Sequence, residues 1–398
     1  MKDEVKKENS VTRSRKNNSR FRVQSSKKKV DVLLLYPDTL EAALGSPGFR
    51  LVYRTLFEAD DISVDWGWYD RKNERIVYES RRCNGRYDCI AFSVPYELLY
   101  FDVIRCLLIL NIEPERNKRK QKYPLVIAGG AAPTINNEVA GTFADIVYIG
   151  EAEQYFADTV RQLGSDKNAG AAKQLTPMSG INIPDEKSAA PRFICPTERI
   201  DSSFLFGFDD PLHCTFKDAG LVEVGRGCSR GCRFCAAGRI YLPVRHRSVE
   251  DILSDVESYR RAKRIGLVGA SISDYRYLKE VIEGIISRGF GITTSSFRAD
   301  MLDDEMASLL KRGGMKTVTI APEGGSERMR RIMNKRLTED EIISAVLACG
   351  HAGINNLRLY YMVGLPREEE ADIDAIIELT GKIKSALNSP GSRITVSV

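Results

Sequence analysis

Three cysteines fall within eight positions, Cys228-x3-Cys232-x2-Cys235, in the run RGCSRGCRFC. Three thiolates at this spacing on one tight loop can hold three corners of a cubane iron–sulfur cluster. The fourth iron is then left open, and an open coordination position is what separates a catalytic metal from a structural one. Gly225, Gly227 and Gly231 let such a loop curl, because glycine tolerates positive φ at little cost. Two plainer readings compete: a zinc site with a remote fourth ligand, and three free thiols. Zinc calls for a second pair at similar spacing, and Cys195 and Cys214 upstream do not form one.

The loop needs a strand before it and helices around it, and GLVEVGRGC reads as that strand. Ser248, with Asp251 three residues on, opens a helix, and Val249, Ile252, Leu253 and Val256 give it one buried face. Strand and helix then alternate through RIGLVGA, helix 275–288, GITTSS, helix 302–312 and TVTIAP. A helix capped by Thr338 and Glu341 and closed at Gly350 follows, then NLRLYYMVG, helix 367–388 and RITVSV. Six strands in right-handed βα units are too few for a closed eight-stranded barrel. Residues 219–398 are therefore expected to form an open, partial (β/α)6 barrel, with the cysteine loop at the carboxyl end of its first strand, where barrel active sites lie. The chain stops on the sixth strand, and a partner or a further segment is expected to cover that edge.

Upstream, residues 30–163 carry VDVLLLYP, DCIAFSV, PLVIAGG and ADIVYIG, with helix-compatible stretches such as FRLVYRTLFEA between them. Near-continuous apolar strands alternating with helices make this half α/β, a doubly wound parallel sheet covered on both faces. Its ligands would sit beyond the strand ends SVPYE, AGGAAP and GEAE. Residues 164–218 are poor in apolar side chains and read as a linker. The net charge of +5 is concentrated at one end: residues 1–30 hold eleven Lys or Arg against three acids, about +8, leaving about −3 for the rest. Residues 1–29 are thus expected to be a disordered basic tail. An arm on nucleic acid is the sharper alternative, but Phe21 is its one aromatic residue and stacking on bases has little support. No apolar run approaches the roughly 18 residues of a spanning helix, and no apolar h-region opens the chain, so a cytoplasmic protein without a membrane role is expected. The nine cysteines, scattered apart from the trio, suit a reducing compartment.

The cysteine spacing, with Phe234 just before the third cysteine, on the first loop of a βα barrel, resembles the radical S-adenosylmethionine (SAM) superfamily. The resemblance implies a 4Fe–4S cluster whose open iron binds SAM, an electron donor such as ferredoxin or flavodoxin, and a 5′-deoxyadenosyl radical that takes a hydrogen atom from substrate. It implies that Gly269-Ala270-Ser271 holds the methionine amino group where the family usually has Gly-Gly-Glu, with Asp274 standing in for the missing acid. Glu323 would accept from the ribose hydroxyls, Lys335 or Arg336 would pair with the methionine carboxylate, and Met362, Val363 and Gly364 would pack on adenine. Arg298 would point toward the barrel mouth and contact a carboxylate or the substrate, whereas Ser326 reads as a helix cap.

The first half resembles the cobalamin-binding domain that precedes the barrel in one subgroup of that superfamily. The resemblance rests on SVPYE, IAGG and IGEAE, with VEVGRGCSRGCRFCAAGRIYLPVR and IAPEGGSER downstream. It implies cobalamin against Ser93, Gly129 and Gly130. The Asp-x-His-x-x-Gly signature of the His-ligating form is missing: YPDTLEAALGSPG follows the first strand, and His213, His246 and His351 all lie outside 30–163. The implied function is cobalamin-assisted methylation, or other modification, of an unactivated carbon on a substrate that the sequence does not name. The alternatives are a cobalamin-independent, methylthiotransferase-like modifier of RNA or protein and, from another class, a non-catalytic iron–sulfur or cobalamin-binding regulator.

Overall fold

The computed structural model describes residues 30–79, 86–120, 124–165, 180–182, 184, 194, 218–387 and 391–398. The expected tail, 1–29, and most of the expected linker lie outside them.

The first unit is one sheet of seven strands: β1 (Val30–Tyr36), β2 (Ile62–Asp70), β3 (Arg75–Tyr78), β4 (Cys89–Ser93), β5 (Leu125–Gly129), β6 (Ile146–Tyr148) and β7 (Ile181–Asn182). Their order is β3-β2-β1-β4-β5-β6-β7. The five central strands are parallel, while β3 and β7 are antiparallel edges. Alternate residues of β1 serve two cores. Val32, Leu34 and Tyr36 pack with Phe49, Leu56 and Val160 of helices Pro47–Phe57 and Phe156–Ser165. Leu33 and Leu35 pack on the other face with Val103, Cys106 and Leu107 of helix Tyr100–Ile109. Strand order reverses between β1 and β4, and such a switch opens a crevice at the carboxyl ends.

Two edges differ from expectation. The β2–β3 hairpin occupies a stretch, ISVDWGWYD, whose apolar signal is broken by Asp65 and Gly67; Asp65 is buried and accepts from Tyr87 Oη at 3.1 Å. The expected linker also contributes to the sheet. Its first residues complete the helix to Ser165, and Ile181–Asn182 pairs with Tyr148 and Val147. A two-residue strand has no periodicity from which to be read.

The second unit holds β8 (Ala219–Arg226), β9 (Arg245–His246), β10 (Arg264–Gly269) and β11 (Gly291–Thr293) in one sheet. A second sheet holds β12 (Thr317–Glu323), β13 (Asn356–Tyr361) and β14 (Arg393–Ser397). β8 and β10–β14 are the six barrel strands, and β9 is a short antiparallel strap on β8. The two sheets meet at a parallel bridge between Phe297 and Ile320. Helices Val249–Ser258, Leu278–Ser287, Asp304–Arg312, Glu339–His351 and Glu370–Leu387 wall the barrel and share one core with Val222, Ile265, Ile292, Val318 and Leu357. Thr338 and Glu341 form a reciprocal capping box, and Ser248 and Ser326 accept from Asp251 N and Met329 N as caps. The strand ladders slip between Val268 and Gly269 and between Ile320 and Glu323. Such bulges re-aim side chains, and both occur where candidate site residues leave the barrel. Among the described residues no helix is long and apolar enough to cross a membrane.

Candidate metal and cofactor site

The cysteine loop leaves β8 through Gly227 at φ +84°, with Gly231 at φ +67° further on. A Cβ on Gly227 would lie 2.7 Å from the Tyr241 carbonyl oxygen and 2.8 Å from that of Pro243, so glycine is required there. Cys235 N donates to Cys232 O at 3.2 Å and closes the turn. The loop is pinned from three sides. Arg230 donates to Asp274 beyond β10 through Nε (3.0 Å) and Nη2 (2.5 Å), and to Asp300 beyond β11 through Nη1 (3.1 Å). Asn334, beyond β12, donates its amide to the carbonyls of Arg230 (3.3 Å) and Gly231 (2.8 Å), and Arg233 N donates to Met333 O at 2.9 Å.

The three thiols are partly exposed and unbridged. Among the described residues no three His, Cys, Asp or Glu side chains converge tightly enough to hold a single ion. A cubane would take one thiolate on each of three irons, and this loop supplies three thiols. Burial pushes the Cys232 thiol up; Lys335 and Arg298 pull it down, against the push of Cys228 and Cys235. Burial wins, so the Cys232 thiol is held above its ordinary value, and the two cations offset only part of that rise.

Phe234, beside Cys235, is exposed, with Lys335 Nζ 6.0 Å from its ring centroid. Lys335 is buried, and its Nζ lies 3.4 Å from Glu323 Oε1. Glu323 stands at φ +69° on the strand exit, a conformation that costs a non-glycine residue about 1–2 kcal/mol. Its carbonyl accepts from Met362 N at 2.8 Å, tying the ends of β12 and β13 together beside half-exposed Val363. Burial pushes the Glu323 carboxyl up, and Lys335 only partly offsets this. Asn334 and Arg336, on either side of Lys335, also have positive φ. The wholly buried Arg330 closes this segment on itself, donating Nε to Leu337 O (2.7 Å) and Nη1 to Gly324 O (3.0 Å) and Gly325 O (2.7 Å).

Two expectations are corrected. Asp274 is not an open acid for a ligand amine: Arg230 and the Ser271 hydroxyl, at 2.6 Å, already occupy it. Arg298 does not project freely into the mouth. It lies buried, gives Nε and Nη2 to Asp300 (2.9 and 3.0 Å), and gives Nη2 also to Lys335 O (3.3 Å). Arg230, Asn334 and Arg330 carry no local motif, and sequence reasoning missed them.

Between the two units lies a cavity of about 450 Å³, in the size range of small-molecule sites. Ser93, Gly129 and Gly130 line it from the first unit, and Gly227, Gly269 and Ala270 from the barrel. Leu51, Phe92, Ile127 and Ile240 give it apolar walls. Gly130 has φ +116°, and a Cβ there would lie 2.6 Å from Val94 O. A Cβ on Gly48, also lining the cavity, would meet nothing within 4 Å.

Residues 222–380 match the family model described as Radical SAM superfamily, and residues 48–184 match Radical SAM proteins, N-terminal. Over 368 residues the chain is 29% identical to an uncharacterized protein of Methanocaldococcus jannaschii, covering 90% of this chain and 74% of that protein. Over 179 residues it is 25% identical to the ribosomal protein uS12 methylthiotransferase RimO of Thermotoga maritima, covering 41% of each. Among solved structures, the radical SAM methyltransferase TsrM of Kitasatospora setae, with cobalamin and a 4Fe–4S cluster bound, aligns with a TM-score of 0.64 at 12% identity, covering 92% of this chain and 75% of that one. OxsB, a cobalamin-dependent SAM radical enzyme with aqua-cobalamin and SAM bound, aligns with a TM-score of 0.59 at 17% identity, covering 88% of this chain and 52% of that one. At such identities the structures show a shared fold. With both halves matched in order to family models of one superfamily, the chain belongs to the radical SAM superfamily and is an enzyme whose cofactors are a 4Fe–4S cluster and SAM.

Proposed function

We propose that the chain is a cobalamin-assisted radical SAM enzyme that methylates, or otherwise modifies, an unactivated carbon. One observation carries this reading. The cavity beyond the strand ends of the first unit is continuous with the barrel surface that bears the cysteine loop. A ligand seated on Ser93, Gly129 and Gly130 would therefore face the residues around the cluster. TsrM holds cobalamin and OxsB is cobalamin-dependent, and their sharing of the two-unit fold supports the same reading.

In this proposal Cys228, Cys232 and Cys235 hold the cluster. The exit of β10 at Gly269-Ala270-Ser271 receives the methionine amino group, Lys335 the carboxylate, Glu323 the ribose diol and Val363 the adenine. When bound, the cluster and SAM supply a 5′-deoxyadenosyl radical, and the corrinoid supplies a transferable methyl group. The chain's own part is placement. Glu323 and Lys335 are the two halves of one ion pair, so a ligand carrying a diol and a carboxylate finds both complements side by side. The apolar cavity walls exclude water. Residues 30–163 hold no histidine, so cobalt would have no histidine ligand from this unit. A substrate and a reductant complete the reaction, and a small electron-transfer protein such as ferredoxin or flavodoxin is the proposed donor.

The matched stretch of RimO favours a second reading, a cobalamin-independent methylthiotransferase-like modifier. One experiment separates them. Protein purified from cobalamin-replete cells and reconstituted anaerobically with iron and sulfide is treated with SAM and dithionite. Bound corrinoid together with 5′-deoxyadenosine release supports the first reading. Release without any corrinoid, added or co-purified, supports the second. No release from a fully loaded cluster refutes both.

A further inference from the structure

Four ionisable side chains that the proposed chemistry does not use line the interdomain cavity, and a fifth, Arg245, is paired to them from behind. Glu151 and Glu153 come from the loop after β6 in the first unit, Glu223 and Arg226 from β8, and Arg245 from the strap β9. Arg245 grips Glu151 with both terminal nitrogens, at 2.7 and 2.5 Å. Arg226 reaches Glu153 at 2.6 Å, Glu151 at 3.4 Å, and Glu223 at 2.8 and 3.0 Å. Every one of these side chains is at most 11% exposed.

This cluster leads to the metal loop by a short path. Arg245 and Arg226 are register partners in the β9–β8 ladder, and Arg226 is two residues from Cys228. There is no slack along it. A Cβ on Gly225 would lie 2.5 Å from Arg245 O, and one on Gly227 2.7 Å from Tyr241 O, so the strap lies directly on the backbone that enters the loop. Packed interiors transmit displacement and do not absorb it. Breaking one partner of a buried pair leaves an uncompensated charge that the surroundings must rearrange to accommodate.

We infer that Glu151, a residue of the first unit, is a positioning residue for the cysteine loop of the barrel, acting through Arg245 and Arg226. It sets the geometry in which Cys228 is presented, and because Glu151, Arg226 and Gly227 all line the cavity, whatever fills the cavity touches the same path. The inference rests on the cysteines holding a cluster.

The test uses the full chain with its cluster reconstituted anaerobically. Glu151→Gln keeps shape and removes the charge. The readouts are amide hydrogen exchange over residues 225–232 and the electron paramagnetic resonance spectrum of the reduced cluster. The variant is expected to load wild-type iron, to exchange about 10-fold faster across 225–232, and to show a changed spectrum. Arg245→Met should do the same, and the double variant should add little to either, as coupled partners do. Should Arg245→Met fail to fold, Arg245→Lys serves, because it keeps the charge but loses the fork. Wild-type exchange and spectrum in Glu151→Gln would overturn the inference, as would fully additive effects in the double variant. Neither readout involves a corrinoid, so failure of cobalamin binding would sink the proposed function and leave this result standing. A chain that loads no iron would fail the cluster reading, while exchange over 225–232 still decides the role of Glu151.

Discussion

Replacing Asp274 with Asn tests whether the cysteine loop is held from outside itself. Asp274 accepts from Arg230 Nε at 3.0 Å and Nη2 at 2.5 Å, while Asp300 holds Nη1 at 3.1 Å. A buried hydrogen bond to a charged group is worth about 1.5–3 kcal/mol, and a fully exposed ion pair about 0–1. The two side chains are 33% and 20% exposed and Asp300 remains, so about 1.4 kcal/mol is the expected loss. That is about a tenfold rise in the open population of the loop. The assay is anaerobic iron release to a ferrous chelator, followed by loss of cluster absorbance, with the urea midpoint of the whole chain as control. Asp274→Asn should lose iron about tenfold faster, with the urea midpoint lowered by no more than the same ~1.4 kcal/mol implies. A pH series adds a second arm. Burial alone would raise the Asp274 pKa, but bonds from Arg230 and Ser271 outweigh it and hold the carboxyl below its ordinary value. A depressed carboxyl stabilises fully above its unfolded pKa and loses that contribution as pH falls through the folded one. The gap between wild type and variant should therefore be constant near neutrality and close only below about pH 4. Iron loss within twofold of wild type at neutral pH would refute the idea that Arg230 anchors the loop.

Lys335→Met should retain iron but weaken SAM binding at least tenfold by equilibrium dialysis, because it removes a cation that lowers both Glu323 and Cys232. In the wild type the Glu323 carboxyl is raised, so SAM affinity should begin to fall above the ordinary carboxylate range as pH is lowered. Cys349→Ala should keep full iron loading, since burial pushes that thiol up to about 12, whereas Cys232→Ala should lose the cluster. Gly130→Ala should lower stability by about 1–3 kcal/mol in urea unfolding, because it combines a positive φ with a contact 2.6 Å from Val94 O.

The cysteine loop is legible in the sequence because its three thiols lie within eight positions and their spacing alone expresses the candidate chemistry. Most strands are legible because a sheet covered on both faces makes continuous apolar runs. The supports of the site are not. Arg230 and Asp274 are 44 residues apart, Arg230 and Asp300 are 70, and Glu151 and Arg245 are 94. Each of these residues, read alone, belongs to a type that is usually solvated, and only the fold shows them paired. The partners of Arg298 were hidden for a related reason. Strand alternation points a side chain only while the strand lasts, and β11 ends at Thr293. Beyond it Asp300, two residues away, takes the guanidinium.

The seam between β11 and β12 has a wider consequence. The four-stranded piece carries the cysteines and Gly269; the three-stranded piece carries Glu323 and leads to Lys335 and Val363. Where the pieces meet at Phe297 and Ile320, stitches are supplied by the site's own side chains, Arg298 to Lys335 O and Asn334 to Gly231 O. Joining the two sheets and bringing the candidate site residues together are then coupled. Filling the site should therefore stiffen the seam between the two sheets.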